Sequence, residues 1–234
     1  MGVFAKRKFS RGDKIMVEHS VCTSAASPMS VHPDALWAVQ SLMPVGEKVS
    51  LGEKFNLNAM GSSADGSLGL FLNLARINHS CLGNSDHAYV PEHKLQLSVA
   101  IRDIEPGEEI THSYVNVTES VFRERKAMLQ ERWNIDCDCG VCADAGINTE
   151  LCEVSKLDGE LFALAGREKV GEALSTGKRL LALYDKHRVS PTLYSRTHFD
   201  MYQTAMMSKS RHDDAVRAIE CALENALLFY GDNF

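Results

Sequence analysis

Arg76-Ile77-Asn78-His79-Ser80-Cys81 and, further along, Cys137-Asp138-Cys139-Gly140-Val141-Cys142 are the stretches on which the reading of this chain turns. The second run places three thiols within six residues, a spacing suited to a metal and too tight for disulfides. A four-coordinate structural zinc needs one more thiolate or imidazole. Cys81, at the end of the first run, can supply it, and Cys152 is the local competitor. A site completed by Cys152 would knot only a loop, whereas one completed by Cys81 would close a long stretch of chain. Between the two runs lies a hairpin, Leu95 to Asn116, that ends in Ser113-Tyr114.

Length and charge bound what surrounds these pieces. With 234 residues the chain can hold one sizeable domain, or one domain and an appendage. Twenty-five Lys and Arg against 31 Asp and Glu leave a formal net charge of −6, so bulk charge gives no reason to expect nucleic-acid binding. No apolar run approaches the ~20 residues of a membrane span, and the first eight residues are too basic for a signal segment, so no membrane partner is expected. Seven cysteines with three of them crowded together fit a reducing compartment, which implies an intracellular protein of the nucleus or cytoplasm.

Taken in order, Gly2 to Ala5 and Lys14 to Val17 read as short strands joined by a turn through Ser10-Arg11-Gly12-Asp13. A strand with so little lead-in implies an incomplete N-terminus. His32-Pro33-Asp34 predicts a helix start, Leu36, Trp37, Val39 and Leu42 its apolar stripe, and Pro44 its stop. Residues 44 to 69 are rich in glycine and predict loop, with one short element near Phe55 to Met60. Leu68 to Ile77 is a compact apolar segment leading into Asn78. Leu95, Leu97, Val99 and Ile101 share one face of a strand, with Gln96, Ser98 and Arg102 on the other. Glu105-Pro106-Gly107-Glu108 carries Pro and Gly where a type II turn wants them. Asn116 and Glu119 resemble a capping box for a helix running to about Trp133, with Val121, Phe122, Met128 and Leu129 as its apolar residues. Beyond Gly146 the pattern turns helical, over roughly 150–165, 168–187, 192–209 and 213–230. Small residues at Ala205, Ala215, Ala218 and Ala222 suit close approach of the last two helices. One such hairpin is too little to establish a tetratricopeptide array, which would be truncated here.

Asn78-His79-Ser80-Cys81, then Gly107-Glu108-Glu109-Ile110 with Tyr114, then the Cys-x-Cys-x2-Cys run, resemble the SET domain of protein-lysine methyltransferases. Together with the helical C-terminal region the chain is similar to the SMYD-like branch, without its MYND zinc finger, since residues 18 to 57 hold only Cys22. The resemblance covers about residues 1 to 145. It implies an α+β fold: a β-rich SET-type domain of short sheets around a pseudoknot (1–133), a zinc-binding post-SET segment (134–146) and an α-helical region (147–234). It also implies S-adenosylmethionine as methyl donor and a structural zinc held by Cys81, Cys137, Cys139 and Cys142. The implied partner is a protein substrate, histone or other, that offers a lysine, and the C-terminal helices are expected to cover its groove or bind a further protein.

By the same resemblance Tyr114 directs its hydroxyl at the methyl-transfer channel, and Asn78 and His79 contact the donor. Asn58 is similar to an upstream asparagine that meets the donor's methionine part. Gly2 matches the second glycine of an opening Gly-x-Gly loop. Trp133 stands where a channel tyrosine is common, and Ile135 where an aromatic packs on adenine. The usual Asp-Pro-Asn after the first cysteine is Leu82-Gly83-Asn84. These departures keep a second function open: a non-catalytic SET-like binding module with impaired donor binding. Other features read as bland. His87, His93 and His112 lack metal spacing, Glu108-Glu109 reads as a solvated turn, and Arg123-Glu124-Arg125-Lys126 as a helix face with intrahelical pairs.

Overall fold

Apolar alternation through Leu97 and Val99 and the Pro-Gly turn that follows predict a hairpin from Leu95 to Asn116, but its two arms do not pair: Leu95–Ala100 lies in one sheet and Glu109–His112 in another. The computed structural model describes residues 2–24, 36–42, 49–61, 66–116 and 122–231. Its strands are β1 (Val3–Phe4), β2 (Lys14–His19), β3 (Cys22–Thr23), β4 (Met60–Gly61), β5 (Leu68–Leu70), β6 (Asn78–His79), β7 (Ser85–Val90), β8 (Leu95–Ala100) and β9 (Glu109–His112). They form three sheets ordered β2-β8-β7, β3-β5-β4 and β1-β9-β6. The helices are α1 (Leu36–Gln40), α2 (Leu51–Asn58), α3 (Phe122–Trp133), α4 (Gly140–Ala143), α5 (Ala145–Ala165), α6 (Val170–His187), α7 (Pro191–Met206) and α8 (His212–Tyr230). The chain divides into two compact units, one of Met1–His112 with Arg132–Asn134 and one of Ser113–Glu131 with Ile135–Phe234.

In the first unit the turn at Glu105–Glu108 has the expected form. Gly107 sits at φ 86°, and the Glu108 N–H donates to the Glu105 carbonyl at 3.0 Å. β8 is central, antiparallel to both β2 and β7. That position overturns the expected polar face: Gln96 and Ser98 are only 2% and 0% exposed, because a central strand covered on both sides buries every position.

The expected loop over 44–69 is also corrected. α2 occupies Leu51–Asn58, started by a full capping box in which the Ser50 hydroxyl accepts from the Glu53 N–H and Glu53 accepts from the Ser50 N–H. Ser50-Leu51-Gly52-Glu53 carried that signal in the sequence. Leu68 to Ile77 is not one element but β5 followed by a 3₁₀ turn at Leu74–Arg76. Glu18 of β2 accepts from the Asn73 and Leu74 N–H groups at 3.1 Å and so caps that turn. The predicted start and stop of α1, at His32–Asp34 and Pro44, lie outside the described residues, as do Glu119 and Val121 of the second predicted cap. Of the stripe expected around α1, Val39 and Leu42 are buried, whereas Leu36 is exposed and Trp37 is 72% exposed, and Ala38 takes a place in the core.

Two short pairings position the site. β1 runs antiparallel to β9, and β6 runs parallel to it, with Asn78 opposite Thr111 and His79 opposite His112. The chain then passes across β9. At Gly83 a Cβ would stand 2.4 Å from the Thr111 carbonyl oxygen, so only glycine fits this crossing. Asn84, 1% exposed, locks it. Its N–H donates to the Thr111 carbonyl (3.1 Å), its Oδ1 accepts from the Thr111 N–H (2.8 Å), and its Nδ2 donates to the Glu109 carbonyl (2.8 Å) and to Glu108 Oε1 (3.1 Å). Ile77, Ile104 and Ile110, with Phe71 and Leu74, are buried beneath as the core.

The second unit is helical. α5 starts at Ala145, earlier than the expected 150, because Asp144 accepts from the Gly146 and Ile147 N–H groups at 2.7 and 3.0 Å. Ala205, Ala215, Ala218 and Ala222 are buried, as close packing of α7 on α8 requires. Gly177 of α6 leaves room for Met201, whose sulfur a Cβ would meet at 2.7 Å. In α3 the expected apolar face holds only in part: Leu129 is buried as expected, Met128 is 40% exposed, and Arg125 is the other buried residue.

The Asn84 lock predicts a large effect from a small change. Asn84→Ala removes the side chain's partners from buried backbone and carboxylate groups and should destabilise the protein by about 3 kcal/mol or more. Urea unfolding measures it. Arg7→Ala, which loses a surface pair with Asp13 at 3.7 Å, a hydrogen bond to the Lys8 carbonyl at 3.0 Å and the stacking of its guanidinium over Phe9 at 4.1 Å, should shift stability by about 1 kcal/mol or less.

Candidate functional site

The two-residue strand β6 presents Asn78 and His79 in alternate directions, as a strand must. Asn78 is exposed, and its Nδ2 donates to Glu109 Oε1 of β9 at 2.7 Å. Gly2 lies against this pair: a Cβ there would stand 2.1 Å from Glu109 Oε1 and 2.7 Å from Asn78 Nδ2. Gly2 and Asn78, both predicted from the sequence, are thus brought together, and Glu109 joins them. The expected solvated Glu108-Glu109 turn is corrected. Glu109 engages Asn78, while Glu108 accepts from Arg102 (2.7 Å) and Asn84. Partial burial would raise the Glu108 carboxyl, but these hydrogen bonds outweigh it and hold it below the usual range.

His79 lies on the other side of β6, with Nε2 3.4 Å from the Cys81 sulfur. Behind it His112 of β9 is buried at 2% exposure and packs against His87 of β7, ring centroids 4.6 Å apart. Burial depresses the pKa of His112 well below the ordinary value, and the neighbouring His87 and His79 lower it further. Burial lowers His87 too, against a weaker opposing pull from Asp86. Nothing in their spacing along the chain signals this packing, which comes from neighbouring strands.

Tyr114 follows β9 by two residues and is half-buried. Asn58 ends α2, its Nδ2 donating back to the Lys54 carbonyl at 2.7 Å. Trp133 stands beside that helix end, its indole N–H donating to the Leu57 carbonyl at 3.0 Å, and the Arg132 guanidinium lies over its ring at 4.6 Å. Ile135 is half-buried, its N–H closing the end of α3 on the Leu129 carbonyl at 3.1 Å.

The cysteine run is held by residues the sequence reading took for a helix surface. Arg125, fully buried, donates to the Asn148 carbonyl oxygen, and Asn148 in turn donates to the Val141 carbonyl at 2.6 Å. The expected intrahelical pairing of Lys126 is also replaced, by Asp136 at 2.7 Å. These contacts shape the knuckle from Cys137 to Cys142. Within the second unit the sulfurs of Cys137, Cys139 and Cys142 lie within 4.8 Å of one another. A tetrahedral zinc with ~2.3 Å bonds sets its sulfurs ~3.8 Å apart, so these three thiols can serve one with shifts of about 1 Å or less. Burial first, then the neighbouring thiols, push the Cys137 thiol up to about 12. A divalent cation among the thiols reverses that balance and favours thiolates.

Comparison with known proteins bears on the first unit. Residues 1–115 match the SET domain family. The chain is 39% identical over 75 residues to the histone-lysine N-methyltransferase set5 of Schizosaccharomyces pombe, a match over 32% of this chain and 23% of that protein. It is 37% identical over 89 residues to the mouse protein-lysine N-trimethyltransferase SMYD5 (37% and 20%). With the mouse histone-lysine N-methyltransferase Smyd1 it shares 28% identity over 150 residues (59% and 28%). The chain therefore spans less than a third of the length of each of these relatives.

The buried histidines make stability depend on pH. Their pKa values lie below the unfolded value of ~6.5, so the unfolded chain takes up protons first as pH falls. Their contribution is present above that value and is lost as pH drops below it, so the protein should be less stable at pH 5.5 than at pH 7.5. Urea unfolding at the two pH values should show the loss, and His112→Asn should reduce it.

Proposed function

Because residues 1–115 are a SET domain of the kind carried by protein-lysine methyltransferases, we propose that the chain transfers a methyl group from S-adenosylmethionine to a lysine amine of a histone or another protein. The observation that carries this reading is the pairing of β6 with β9, which sets Asn78 beside Gly2 and leads directly into Tyr114.

The donor supplies a sulfonium methyl that is already electrophilic. The chain's own residues then have to bind, align and exclude water, with no need of a strong base. Asn78 is exposed with its amide held, and Gly2 leaves open the space a side chain would fill, which suits a site for the donor's amino-acid end. His79 completes that strand. Tyr114 directs its hydroxyl at the transfer channel, where its oxygen orients the incoming amine. A desolvated channel favours the neutral amine that the reaction requires. Asn58 and Trp133, side by side at the end of α2, together with Ile135, form further walls for donor and lysine.

A structural zinc on Cys81, Cys137, Cys139 and Cys142 supports the post-SET segment over 134–146. Residues 1–133 form the catalytic domain, and the helical region over 147–234 offers a surface to a protein partner. The protein works inside the cell, in nucleus or cytoplasm.

Calorimetry with S-adenosylmethionine and a methyl-transfer assay on histones test the function. Binding should be seen at micromolar to millimolar donor, and a folded chain that binds none at millimolar donor ends this reading. Tyr114→Phe should cut methyl transfer at least tenfold while leaving donor affinity within about twofold. Unchanged turnover would remove Tyr114 from the mechanism. For the metal, zinc analysis should find about one ion per chain. Cys81→Ser should lose it and Cys152→Ser should keep it; equal zinc in both would exclude Cys81 from the site.

A further inference from the structure

His79 and Cys81 stand two apart along the chain, the spacing at which a strand turns side chains to the same side. The imidazole Nε2 meets the Cys81 sulfur at 3.4 Å, and Cys81 is fully buried. On the zinc reading above that sulfur is a thiolate, which accepts hydrogen bonds and donates none. The proton in the contact then belongs to Nε2, and this fixes the tautomer of the ring. Inside the cysteine run the Cys139 N–H donates to the Cys137 sulfur, so that thiol draws on the backbone of the knuckle itself. Cys81 lies outside the run, and an imidazole N–H takes the same part for it.

Such a hydrogen bond matters because the thiolates of a zinc site of this kind carry more negative charge than the dication cancels. Uncompensated charge is costly around a sulfur that is 0% exposed. An N–H directed at the thiolate offsets part of that charge and orients the sulfur, as hydrogen bonds from outside the ligand set do at metal sites generally. We propose that His79 is a positioning residue for the metal: its Nε2–H donates to the Cys81 thiolate and holds the sulfur ready for zinc. This rests on the zinc reading above and adds to it a residue that supports the ligand without being one.

Transfer of zinc from the full, loaded chain to a competing chelator tests the proposal. His79→Ala should weaken zinc binding about tenfold or more. His79→Gln, whose amide can place an N–H near the position of Nε2, should stay within about threefold of the unaltered chain. His79→Leu, similar in bulk but without an N–H, should behave as the alanine variant does, and the glutamine–leucine comparison carries the test if the alanine variant does not fold. With cobalt in place of zinc, loss of the hydrogen bond should move the thiolate-to-cobalt charge-transfer band to lower energy in the leucine variant and leave it in place in the glutamine variant. Equal zinc affinity in all variants, or leucine restoring it as well as glutamine, overturns the proposal while leaving the zinc reading in place. If the unaltered chain holds no zinc, or Cys81→Ser keeps it, the zinc reading for Cys81 itself falls and this inference with it.

Discussion

The first unit depends on how β9 satisfies its backbone. Four residues long, it is too short to hold itself, and each of its edges is met by a different part of the chain. β1 comes to one edge antiparallel, and β6 to the other in parallel. An unpaired buried peptide group costs about 1–3 kcal/mol, and Thr111 has to meet its N–H and carbonyl in a strand whose partners are only two residues long. Asn84 removes that penalty by meeting the Thr111 N–H and carbonyl together, with the Ser85 hydroxyl donating to the same carbonyl at 3.0 Å. One side chain thereby does the work of a further strand. Its backbone can come close enough only because Gly83, just before it, has no Cβ.

That lock explains what was and was not legible in the sequence. The turn at Pro106-Gly107 is local, its geometry set by two residues, and it reads directly, whereas the pairing of the strands on either side of it does not: they go to different sheets. The crossing at Gly83-Asn84 is not local. Leu82-Gly83-Asn84 stood out only as a departure from a familiar tripeptide, and its partners at Glu108 to Thr111 lie across an intervening hairpin. The capping box at Ser50 and Glu53 was readable and was hidden by the glycines around it. Gln96 and Ser98 misled for another reason: alternation marks which residues share a face, not whether both faces are covered.

Arg125 shows the same limit in the second unit. Among Arg123, Glu124 and Lys126 its charge marks it as surface, yet it is wholly buried. Burial of a guanidinium is costly unless its donors are met, and Asn148 Oδ1 meets one of them from α5. Asn148 also holds the Val141 and Asp144 carbonyls, at 2.6 and 2.8 Å. The short helix α4, which carries Cys142 and begins just after Cys139, is therefore fastened by hydrogen bonds that involve none of the cysteines. The spacing of the thiols could be read from the sequence, but the scaffold that supports that spacing could not.

The strand β6 joins these themes at the smallest scale. Two residues are enough to make one hydrogen-bonded register with β9, and the pleat then sends their side chains to opposite sides. Asn78 goes outward, to Gly2 and the carboxylate of Glu109. His79 goes to the side of the Cys81 sulfur and the buried His112. A shift of the register by one residue would exchange them, setting an imidazole beside Gly2 and an amide beside the thiol. The separation of an exposed polar site from a thiol site is thus set by register, and the register is held by Asn84, which touches neither Asn78 nor Cys81 through any bond it makes to β9. Position along one short strand is what assigns neighbouring residues to different chemistry.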